Sequence, residues 1–101
     1  MIDLSIGKKA ARLTLHGVLG FDQLPLLLQA AQQIEAAGKP LILEWHALQS
    51  LHYACLQVLI ALGKSLAIQG ITAQAKEPSP ELYAQLQRYG LWHELFDATS
   101  S

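Results

Sequence analysis

The sequence holds little that could join it to membranes, nucleic acid or an oxidising compartment. Of its 101 residues only one is a cysteine, Cys55, so no internal disulfide can form, which fits a reducing compartment. No stretch approaches the roughly 18 uninterrupted apolar residues of a membrane span. The opening MIDLSIGKK carries an early acid and lacks the apolar core of a secretory signal. A cytoplasmic protein is therefore expected. Charge is sparse at 15% of residues, with a net of −1. Lys8, Lys9 and Arg12 form the only basic cluster, read as a solvated edge beside a turn. Without a basic face there is no electrostatic footprint for binding DNA or RNA. There is also no glycine-rich phosphate loop, no Gly-x-Ser-x-Gly elbow and no pair of neighbouring carboxylates. No cofactor is expected.

What the chain does have is apolar residues, 51% of the total, enough to bury a core in a domain of this size. One domain over residues 1–97 is expected, with 98–101 as a tail. A short strand at Leu4 to Ile6 turns through Gly7, Lys8 and Lys9 into a second, where Arg12 to Leu15 alternate polar and apolar. Leu24, Leu27, Leu28, Ala31 and Ile34 recur at helical spacing. Asp22 is placed to cap that helix, Pro25 is tolerated in its first turn, and Gly38 with Pro40 ends it. Leu41-Ile42-Leu43 reads as a fully buried central strand. His46 to Tyr53 shows no clear period, and a second helix runs from Ala54 to about Ile68, closed by Gly70. Ile71 to Ala75 is a further strand. Ser79 caps a third helix with Pro80 at its first position, a stripe of Leu82, Tyr83, Leu86 and Tyr89, and Gly90 at its end. Leu91, Trp92, Leu95 and Phe96 are read as a short terminal helix. The resulting class is α/β, a small mixed β-sheet with packed helices. Leu13, Leu15, Leu28, Ile42, Leu59 and Leu66 are expected to be buried.

Four segments carry a resemblance: Leu15-His16-Gly17 before the first helix, Leu41 to His46, Leu51 to Leu59, and Ser79-Pro80-Glu81-Leu82 running to Gly90-Leu91. In this order and spacing the chain resembles a STAS domain, the fold of anti-sigma-factor antagonists, over nearly its whole length. The resemblance implies a non-enzymatic regulatory module that binds a protein, either an anti-sigma factor or related serine kinase, or a component of a lipid-transport ABC or chemotaxis-linked assembly. Members of the family commonly end the central strand in an Asp-Leu-Ser-like sequence and open the second helix with Asp-Ser-Ser-Gly-Leu or Asp-Thr-Ala-Gly-Leu. This chain departs from both, with Glu44, Trp45 and His46 at the first motif and His52, Tyr53, Ala54 and Cys55 at the second. The family's phosphoacceptor hydroxyl falls on Ala54, or on Tyr53 if the alignment is shifted by one. No Ser or Thr stands between Leu51 and Lys64, so the ordinary serine switch is expected to be absent.

A reading of another class gathers His46, His52, Cys55 and Glu44 into a metal or thiol site. Against it, His52-x-x-Cys55 is a single pair, whereas a structural zinc site needs four ligands. Cys55 is read as a small buried hydrophobe, Trp45 and Trp92 as core, and His16 and His93 as residues without a function.

The second helix is too apolar for one buried face, since between Tyr53 and Leu62 only Gln57 is polar. At about 100° per residue, Cys55, Leu59, Leu62 and Leu66 share the stripe assigned to the sheet. Tyr53, Gln57, Ile60, Ala61 and Lys64 point away, and with Ala54 they form the expected partner surface. The competing expectation is that Trp92 and Phe96 cover this face.

Overall fold

A computed structural model of the chain describes residues 1–90. The expectations for Leu91, Trp92, His93, Leu95, Phe96 and the tail lie outside the described residues. Strands β1 (Ile2–Ile6), β2 (Ala11–Leu19), β3 (Leu41–Leu51) and β4 (Ala73–Ala75) form one sheet in that spatial order. β1 and β2 make an antiparallel hairpin, while β2, β3 and β4 run parallel. The parallel pairs need crossovers, and α1 (Leu24–Ala37) and α2 (Tyr53–Ile68) supply them. A 3-10 turn at Phe21–Gln23 precedes α1, and α3 (Pro80–Tyr89) follows β4.

The buried side chains form one cluster between the helices and the inner face of the sheet. Leu13, Leu15, Leu59 and Leu66 are fully buried, as expected, and Trp45 joins them with its indole N–H donated to the Lys76 carbonyl. The opposite face bears Arg12, Thr14, Ile42, Glu44 and Gln74, with Arg12 paired to Glu44. With the described helices on one side of the sheet, β3 alternates between buried Leu41, Leu43 and Trp45 and half-buried Ile42 and Glu44. Ile42, expected to be buried, is only half-buried: the apolar run signals a central strand, but its middle residue faces the side that no described helix covers.

The second half of β3 explains why no period was legible there. Between Thr14 and His16, and again between Gly17 and Val18, the pairing shifts so that β3 carries one extra residue each time. The bulges change the inward spacing from two residues to three, so Trp45, Leu48 and Leu51 all face the core. β4 pairs only with Leu41 to Leu43. Further along, side chains from α3 and its cap satisfy the free edge of β3. Ser79 Oγ donates to the Leu48 carbonyl at 2.9 Å, Gln85 Oε1 accepts from the Leu51 N–H at 2.8 Å, and Tyr89 OH donates to the Leu51 carbonyl at 2.9 Å.

The helix ends obey local chemistry. Gly38 and Gly90 take the left-handed conformation at the C-caps of α1 and α3, with φ of 66° and 76°. Ser79 Oγ accepts from the Leu82 N–H at 3.1 Å, as its position before Pro80 implies. Asp22 does not cap α1. It lies inside the 3-10 turn, and the N-cap is Gln23, which makes no side-chain cap bond. Two stripe residues also need correction. On α1 the buried row is Leu27, Ala30 and Ile34, which leaves Leu28 44% exposed. On α3 the row is Leu82 and Leu86, with Tyr83 exposed and Tyr89 half-buried.

Candidate functional site

The junction from β3 into α2 lies beside the end of β2, because the His52 N–H donates to the Leu19 carbonyl at 2.9 Å. His52 is extended, with φ −65° and ψ 145°, and caps α2: its Nδ1 accepts from the Ala54 N–H at 3.0 Å. Its carbonyl accepts from the Cys55 and Leu56 N–H groups at 2.9 and 3.1 Å. The Ala54 and Cys55 N–H groups, two of the helix's first donors, are thus occupied by His52. The imidazole also packs against the exposed Phe21 ring, with centroids 5.4 Å apart.

The six residues of the expected partner surface divide between two flanks of α2. Ala54, Gln57 and Ala61 line an open groove of about 450 Å³ whose other wall is Leu24, Leu28 and Ala31 of α1. Tyr53 turns toward α3 and meets Tyr89 edge-on at a centroid distance of 5.2 Å. Ile60 is half-buried against the core, and Lys64 is exposed. The wall contributed by α1 was not foreseen. Its signal in the sequence is the run Leu26-Leu27-Leu28, of which a single helix face can bury only one or two.

The metal or thiol grouping is not assembled. Glu44 lies on the outer face of the sheet with Arg12, His46 is exposed on β3, and Cys55 is buried in the core. His46 and His52 stand at opposite ends of a strand segment roughly 15–20 Å long. Among the described residues no cluster of three or more His, Cys, Asp or Glu side chains is arranged to hold a metal ion. Burial, and secondarily the charge of Asp22, raises the Cys55 thiol above its ordinary pKa, and its Sγ lies 3.6 Å from the Gly20 carbonyl. The thiol is therefore protonated at neutral pH, the opposite of an activated nucleophile. His16 Nε2 stands 3.0 Å from Asp3 Oδ2 on β1. No helix among the described residues is long and apolar enough to cross a membrane.

No protein-family model matches the chain, and no curated protein sequence matches it. Solved structures do. TM1081 of Thermotoga maritima, a candidate anti-sigma factor antagonist, superposes with a TM-score of 0.77 at 14% identity, over 99% of this chain and 86% of that one. The anti-sigma factor antagonist SpoIIAA in its unphosphorylated form gives 0.73 at 11% identity, covering 100% of this chain and 89% of its own. The phosphorylated form of SpoIIAA from Bacillus, a cell fate determinant, gives 0.73 at 10% identity, covering 100% and 93%. The order of strands and helices and these superpositions together establish that the chain has the STAS fold, the fold of the anti-sigma factor antagonists.

Proposed function

We propose that the chain is a non-enzymatic, cytoplasmic protein-binding module of the anti-sigma-factor-antagonist type, docking its partner through the start and exposed side of α2 and working without a Ser/Thr phosphorylation switch. The partner class is an anti-sigma factor or related serine kinase. The observation that carries this reading is the chemistry of the β3–α2 junction. Where the resemblance calls for a hydroxyl, Ala54 offers none, and its N–H is taken by His52 Nδ1. A phosphoryl group would add nearly two negative charges at this helix end; here Ala54 has no oxygen to carry it, and the Ala54 and Cys55 N–H groups are held by His52. Docking is then constitutive, or is governed by the partner.

Two experiments test it. Incubation with a serine kinase of the anti-sigma class and ATP, followed by peptide mass spectrometry, is expected to find no phosphate between Leu51 and Lys64. Phosphotyrosine at Tyr53 would mean a relocated switch and would contradict constitutive docking. Co-purification of the full chain from its native cell then names the partner: an anti-sigma factor or kinase supports the proposal, whereas a transporter or chemotaxis subunit assigns the module to a different assembly.

A further inference from the structure

The groove between α1 and α2 is built from two helix rows. Leu24, Leu28 and Ala31 follow one another at spacings of four and three on α1, and Ala54, Val58 and Ala61 do the same on α2. Both helices connect parallel strands, so they run in the same direction and the rows lie side by side. The α1 row extends through Gln32 to Glu35, 12 residues counting both ends, or about 16 Å of helix. That length suits roughly three turns of an added helix. The alanines leave room for its backbone, and the leucines offer an apolar edge: Leu28 is 44% exposed although the periodicity of α1 marks it for burial.

The chemistry of the occupant is fixed by charge. Glu35 is the only ionisable residue among the described residues lining the groove. It is half-buried, and its carboxylate makes no hydrogen bond or ion pair with the other described residues. No Lys or Arg occurs between Arg12 and Lys39, so α1 has no cation of its own to answer it. Lys64, the only charge on α2, is exposed and is not part of the lining. A half-buried carboxylate at the end of an otherwise uncharged groove complements a cation brought by the ligand.

We infer that this groove receives an amphipathic helix of a partner protein, seated by its apolar edge on Leu24 and Leu28 and carrying a Lys or Arg to Glu35. The inference rests on the proposed docking role of α2 and names the shape and charge of what docks there.

The test is a titration of the isotopically labelled full chain, followed by amide NMR, with two synthetic helical peptides of equal length and identical Leu/Ala stripe. One bears Lys at the flanking positions and the other Glu. The Lys peptide is expected to shift the amides of Leu28, Glu35, Ala54 and Ala61 and to bind about fivefold more tightly than the Glu peptide, the scale of one partly exposed ion pair. Glu35→Lys should reverse that preference. Leu28→Ser should weaken both peptides while leaving the melting temperature unchanged. The inference is overturned if neither peptide perturbs the groove, or if the preference survives Glu35→Lys. It is equally overturned if the free chain dimerises through this groove, or if nuclear Overhauser contacts in the free chain join the Leu28 methyls to the Trp92 indole. Failure of the groove is separable from failure of the docking role. A native partner lost on Tyr53→Ala but kept by Leu28→Ser and Glu35→Lys would leave docking at α2 standing and remove the groove.

Discussion

The two faces of α2 are almost equally apolar, yet they meet different surroundings. On the inner face Cys55, Leu56, Leu59, Leu62 and Leu66 are at most 2% exposed. On the outer side Tyr53, Gln57, Ala61 and Lys64 are open to solvent, and Ala54 and Ala61 border a groove. Hydrophobic composition alone therefore does not mark a core position. The inner face contributes stability through close packing, while the outer one carries apolar area that no described residue covers, a feature that commonly marks a contact surface.

Substitutions on the two faces should separate these roles. The largest effect is expected inside: Leu59→Ala should destabilise the fold by about 2–5 kcal/mol in denaturant unfolding, the range for a fully buried leucine. A cost near zero would mean that the faces are assigned the wrong way round. Ser79→Ala comes next. It removes both the cap of α3 and a bond to the free edge of β3, and should cost about 1–2 kcal/mol. Leu28→Ala lies at the small end. Because the side chain is exposed, less than about 1 kcal/mol should be lost in the same measurement; a loss in the core range would show Leu28 to be covered.

Cys55 extends the contrast to pH. Its thiol pKa is raised in the folded state, so above the ordinary thiol value, about 8.5, the unfolded chain loses a proton that the native chain keeps. Stability contributed by this group is thus complete at neutral pH and declines as pH rises past that value. Unfolding curves at stepwise higher pH should show a smaller alkaline decline in Cys55→Ala than in the unsubstituted chain. Equal declines would mean that the thiol titrates alike in both states.

The parts of this architecture legible in the sequence are those written in local chemistry. Ser79 before Pro80, Gly38 and Gly90 after helical stripes, and the Cys55, Leu59, Leu62 and Leu66 row each depend on a few neighbouring residues, and each is found in place. The second half of β3 was illegible because its two bulges give Trp45, Leu48 and Leu51 a spacing of three, closer to a helix than to a strand. Leu28 cannot be placed from the sequence, because three successive leucines do not reveal which one faces the core; that depends on how α1 is rotated against β1 and α2. Of the candidate site, Gln57 and Ala61 could be found from the periodicity of α2, and Ala54 from the family resemblance. The groove they line could not, since its second wall comes from another helix and no single segment records the pairing.

The central claim is that the outer side of α2 serves docking and not folding. Its most direct test is capture of the native partner by Ala61→Glu, alone and combined with Tyr53→Ala, at matched thermal stability. The account predicts an unchanged melting temperature and loss of capture, because the new charge falls on a position that no other described residue covers. Capture that survives both substitutions would place the docking site elsewhere on the molecule and contradict the account.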